Sequence, residues 1–112
     1  MTREMVVAAL QSSGAVVKEA KNVGEALRLL EGMKLDVVVS DIGMPDVDGY
    51  AFMRTVRRTN KTFKRIPAVA LTAYAGEEHR QASIDAGFDA HISKPVALSE
   101  LIRTVAALRK RA

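Results

Sequence analysis

The chain has 112 residues, of which 48% are apolar and 27% charged, with a net charge of +4 and no cysteine. That is enough for one domain with a core and too little for two. Disulfides and thiolate metal sites are excluded. No apolar run reaches the roughly 18 residues needed to span a bilayer, and Met1–Met5 does not open as a signal peptide. A cytoplasmic protein with no membrane partner is the expectation. Ten of the seventeen basic residues fall in two groups, Arg54 to Arg65 and Arg103 to Arg111, at helical or loop spacing. With two tyrosines and three phenylalanines for base stacking, they read as solvated helix faces, and no nucleic-acid partner is expected.

Thr2 can cap a first helix that carries Val6, Val7 and Leu10 and closes at Ser12-Ser13-Gly14. Ala15–Glu19 reads as a short strand. Asn22 and Glu25 form a capping box for a second helix, with Ala26, Leu27, Leu30 and Met33 on one side. Leu35–Ser40 is a β-branched run with little alternation, the pattern of a strand buried on both faces of a parallel sheet. A loop rich in Gly, Pro and Asp follows from Asp41 to Gly49. Within it Asp48 can cap the next helix and Gly49 permit the turn. Tyr50, Phe52, Met53 and Val56 mark the third helix. Ile66–Leu71 is a second buried strand with Pro67 at its entry. Glu77–Ala86 is a polar helix stopped by Gly87, and His79 on it is a solvated residue. Ala90–Ser93 is the last strand. Leu98, Leu101, Ile102, Val105 and Leu108 form the stripe of the last helix. Strands alternating with helices predict an α/β, doubly wound parallel sheet covered on both faces, as one domain over residues 1–112.

In open parallel sheets, ligands bind beyond the carboxyl ends of the strands. Three successive strands deliver Asp41, Thr72 and Lys94 to that edge: a carboxylate, a hydroxyl and an amine. Each type is common at turns, but the three together, one βαβ unit apart, are not expected by accident. The set suits phosphoryl transfer to a carboxylate. Asp41 can attack phosphorus to form an acyl phosphate. Lys94 and Thr72 can neutralise and hydrogen-bond the equatorial oxygens. Asp46, Asp48 and Gly49 do not make a calcium loop, because the remaining ligand spacing and closing Glu are missing.

The segment from Val38 to Gly49, the segment Pro67–Ala73 and the segment Gly87–Pro95 resemble, in order and spacing, the three signature segments of response regulator receiver domains. The resemblance covers essentially the whole chain. It implies a flavodoxin-like fold with Asp41 as phosphoacceptor, Thr72 as switch hydroxyl, Lys94 as phosphate-sensing lysine and His91 in the place of the switch aromatic. It also implies a cis Lys94–Pro95 bond. Implied partners are a histidine kinase or phosphotransfer protein and an output partner that the sequence does not identify. A receiver is a signalling module, so no enzyme is expected; an aspartate-nucleophile phosphatase would need a second acid two residues after Asp41, where Gly43 stands. The motifs also resemble receivers attached to hybrid sensor kinases. A non-phosphorylated pseudo-receiver, acting as an interaction module through the face near His91 and the last helix, is the alternative reading.

One departure stands out. The family's first strand and its acidic pair have no counterpart, and Glu4 is the only acid before Glu19. The expectation is a sheet with its first strand missing and four strands remaining. For Mg²⁺, which the family implies, the ligands left are Asp41 and the carbonyl of Gly43, an incomplete site. An unpaired edge on Leu35–Ser40 further predicts self-association, with Ala15–Glu19 sliding over as the intramolecular alternative.

Overall fold

The computed structural model describes residues 3–42, 49–73 and 76–110. Its elements are α1 (Arg3–Ser12), α2 (Val23–Gly32), β1 (Val38–Ile42), α3 (Gly49–Arg58), a 3₁₀ turn (Thr62–Arg65), β2 (Ala68–Thr72), α4 (Glu77–Ala86), β3 (Ala90–Ser93) and α5 (Leu98–Arg109). The strands pair in parallel in the order β1-β2-β3. Alternation along them separates two apolar layers. Ile42, Ala68 and Ala70 meet Leu30 of α2 and Phe52, Met53 and Val56 of α3, with Ala86 and Phe88. Val69, Leu71 and Ile92 meet Val6 and Leu10 of α1 and Leu101 and Leu108 of α5. The doubly wound α/β arrangement is the expected one.

The local signals hold where they are strong. Asn22 caps α2 by accepting a 2.8 Å bond from the Glu25 amide. Gly87 closes α4 in the left-handed region, φ 112°, where a side chain would be strained. The Lys94–Pro95 bond is cis. Thr2 and Asp48, the expected caps of α1 and α3, lie outside the described residues. Gly49 has another use than the expected turn: it is the first residue of α3, and a Cβ there would strike the Ile42 side chain and come within 3.0 Å of Ser40 Oγ. Its lack of a side chain lets α3 close on the end of β1.

The sheet corrects the expectation of four strands. Ala15–Glu19 is not in the ladder, and the described sheet has three strands. Val17 packs against the α1/α5 layer, while Val16 is 87% exposed. A strand exists only by pairing. Among the described residues no strand stands beside this segment to pair with it, and moving onto β1 would draw Val17 off its layer. Strand boundaries also move. The ladder begins where the Val38 amide donates to the Pro67 carbonyl at 2.9 Å, so β1 runs Val38–Ile42 instead of Leu35–Ser40 and carries Asp41 inside it. β2 likewise starts at Ala68, two residues after the buried Ile66. Val38 and Val39 are half-buried, not fully buried, as expected of a strand with an open outer edge. Met33 leaves the packed side of α2: it is the extended C-cap and 41% exposed.

Candidate phosphoacceptor site

Parallel pairing brings the three strand ends side by side. Register places Asp41 opposite Leu71, Ile42 opposite Thr72, and Thr72 opposite Ser93. Neighbouring strands lie about 4.8 Å apart, so the residue following β3 reaches across β2 towards β1. Lys94 does so. Its backbone amide donates to the Thr72 carbonyl at 2.7 Å, fixing where its side chain starts. Its Nζ donates to both Asp41 Oδ1 and Oδ2 at 2.8 Å. The Lys94 and Asp41 side chains are 30% and 34% exposed, so both reach solvent. Thr72 is fully buried at the end of β2. The three residues singled out from sequence therefore stand on one edge of one sheet.

His91 alternates with Ile92, so it faces α4. Its Nδ1 lies 3.0 Å from the hydroxyl of fully buried Ser83, and its Nε2 is 3.5 Å from Ser93 Oγ. Ser83 Oγ also lies 3.2 Å from the His79 carbonyl, so the ring is tied to the second turn of α4. Ser83 was not legible as a site residue. The only hint is a pair of small residues, Ser83 and Ala86, at i,i+3 spacing, which marks a face of α4 that packs closely. His79, expected to be solvated, is partly exposed with Nε2 3.8 Å from Glu78 Oε1.

At the opposite end of the strands Arg57 forms a cluster that sequence reading missed. It donates to the carbonyls of Gly87 (3.0 Å), Lys64 (2.9 Å) and Ile66 (2.6 Å) and to Asp89 Oδ2 (3.1 Å). Asp89 Oδ2 also accepts from the Ala68 amide at 2.8 Å. Burial lowers the Arg57 pKa and the Asp89 charge acts to raise it. The cluster locks the starts of β2 and β3 to the end of α3.

Mg²⁺ is tested by the donor set. Among the described residues no group of three His, Cys, Asp or Glu side chains converges to hold an ion. Among the described residues Asp41 is the one carboxylate at the site, and both its oxygens are bonded by Lys94. Gly43 lies outside the described residues. These residues alone do not make a complete Mg²⁺ site.

Comparison with known proteins identifies the class. The family model of the response regulator receiver domain matches residues 1–106, and the chain belongs to that family. An uncharacterized 14.6 kDa protein of Leptolyngbya boryana is 45% identical over 104 residues, covering 93% of this chain and 79% of that one. The sensor histidine kinase RcsC of Salmonella typhi is 34% identical over 99% of this chain, which spans only 11% of RcsC. The receiver domain of the sensor histidine kinase PA1611 from Pseudomonas aeruginosa PAO1, solved with a magnesium ion coordinated in its active-site cleft, matches with TM-score 0.84 and 29% identity over 96% of this chain and 88% of that one. The chain is thus a receiver of two-component signalling with a flavodoxin-like fold. Among the described residues no helix is long and apolar enough to cross a membrane.

Proposed function

We propose that this receiver takes a phosphoryl group onto Asp41 from a phosphohistidine on a histidine kinase or phosphotransfer protein, and switches a partner-binding face. The observation that carries the reading is Lys94 Nζ at 2.8 Å from both oxygens of Asp41, on the sheet edge that ends in Thr72. In the transfer an Asp41 oxygen bonds to phosphorus as the P–N bond to the donor imidazole breaks, and the departing electron pair stays on the imidazole nitrogen. Lys94 is already placed to follow charge from the carboxylate to the phosphoryl oxygens. Thr72 supplies the hydroxyl that bonds one of them, and His91, tied to Ser83, transmits the change to α4. Mg²⁺, where bound, supplies further charge neutralisation, with Asp41 and the Gly43 carbonyl as the ligands this chain offers. Residues 1–112 act as one receiver unit in the cytoplasm, as a signalling module that is not an enzyme in its own right, and the open edge of β1 supports self-association. The matches to kinase receivers give no support to a non-phosphorylated pseudo-receiver. Incubation with a small-molecule phosphodonor and Mg²⁺, followed by intact-mass measurement, should add one phosphoryl group. No gain by the wild-type chain under conditions that label a complete receiver would sink the proposal.

A further inference from the structure

We infer that the corner joining α3 to the 3₁₀ turn is a docking surface for the phosphodiester backbone of duplex DNA. Residues 54–65 hold Arg54, Arg57, Arg58, Lys61, Lys64 and Arg65 and no acid. The other hundred residues carry eleven cations against thirteen acids, so the chain's positive excess resides in this corner. Arg57 is spent on the internal cluster, but the remaining five are exposed and, among the described residues, their side chains form no ion pair or hydrogen bond.

By spacing alone these cations belong to a solvated helix face. Folding changes that weighing, because Arg57 buckles the turn to the helix by bonding the Lys64 and Ile66 carbonyls. Arg54 and Arg58 share one side of α3 at i,i+4. Lys61, Lys64 and Arg65 stand on the turn that this buckle holds. Five cations on a fixed backbone lose less freedom on meeting a fixed row of charges than five on a floppy loop.

The surrounding chemistry selects the partner. Between the cations lie Thr59, Asn60 and Thr62, which are hydrogen-bonding groups suited to phosphate oxygens. A protein interface needs apolar anchors shielded from water, and a lipid surface needs apolar side chains to insert. Among the described residues the exposed large apolar side chains are Met5, Val16, Met33 and Ile84, none of them in this corner. Phe63 is packed against the core, so no ring is offered for stacking on unpaired bases. What remains fits a sequence-independent duplex backbone. The corner precedes β2, at the opposite end of that strand from Thr72, so the inference does not rest on phosphorylation of Asp41.

The test is fluorescence anisotropy of the whole chain with a labelled DNA duplex of about 20 base pairs across a salt series. Five phosphate contacts predict a slope of log K against log salt of about −4, hence a loss of about a hundredfold or more between roughly 50 and 200 mM salt. The variant Arg58→Gln/Lys61→Gln/Lys64→Gln should bind at least about tenfold more weakly, with a slope shallower by about 3. Arg103→Gln/Arg109→Gln on α5 should bind as the parent does. Acetylation footprinting needs no variant: duplex should protect Lys61 and Lys64 and leave Lys18 and Lys21 reactive. The inference is overturned by undiminished binding in the triple variant, by uniform lysine protection, or by equal displacement with a polyglutamate of matched charge.

Discussion

At the residue scale, the site depends on Asp41 and Lys94 doing different things. Asp41→Asn replaces a nucleophilic carboxylate by an amide, so phosphoryl uptake measured by intact mass should vanish. Uptake at the parental rate would put the acceptor elsewhere. Lys94→Ala should leave the fold and circular dichroism largely unchanged, since the pair it breaks is one-third exposed and worth little. It should nevertheless uncouple phosphorylation from the switch at α4, read as loss of the phosphorylation-dependent change in His91 ring shifts by NMR. A shift change equal to the parent's would deny Lys94 its sensing role. Mg²⁺ binding, followed by calorimetry, should be weaker than in a complete receiver because one carboxylate offsets the ion's dehydration. Tight saturable binding abolished by Asp41→Asn would mean that a further acid has been recruited.

At the scale of elements, α3 is the piece that joins the two ends of the molecule. Its first residue closes on β1, and its last turn carries the Arg57 cluster. Gly49→Ala would push a methyl into Ile42 and Ser40, and overpacking of this kind costs about 1–3 kcal/mol. Because that contact abuts Asp41, the variant should lose phosphoryl uptake as well as thermal stability. A variant as stable and as active as the parent would show that α3 has room to shift. Arg57→Ala removes bonds to three carbonyls and a carboxylate at once. Hydrogen bonds to a charged group contribute about 1.5–3 kcal/mol each, and the bonds to the Gly87 and Ile66 carbonyls are part-buried, so urea denaturation should find a few kcal/mol lost. The strand-end residues were legible because Asp41 follows a β-branched apolar run, and Thr72 and Lys94 follow shorter strand patterns one βαβ unit apart. The Arg57 cluster was not, since its acceptors are mostly backbone carbonyls, which carry no residue identity, and its carboxylate lies 32 positions away.

At the scale of the whole molecule, β1 is the outer strand of the described sheet and is bonded only to β2. Residues 16–20 show no backbone hydrogen bond in the described structure, whereas β2 is bonded on both sides. Hydrogen exchange should therefore be fast over residues 16–20 and slowest over Ala68–Thr72. Slow exchange at Val16 to Ala20 in the monomer would show that the segment has found a partner strand after all. The same edge should make light scattering depend on concentration, because half-buried Val38 and Val39 present unpaired backbone that another chain can bond. A monomer at every concentration would remove self-association from the account.

The sequence by itself determined the layered α/β class, the helices and their stops, and which three side chains reach the carboxyl edge. Those features follow from local periodicity, caps and the polarity of residues just after buried runs, which act within a few positions of chain. Only the tertiary structure decided that Ala15–Glu19 is not a strand, that Gly49 serves close approach, that His91 is tied to Ser83, and that Arg57 braces the far end. Each of these depends on what stands opposite in space. Pairing, contact and hydrogen bonding across distant segments are properties of the folded arrangement, and no local pattern encodes the partner.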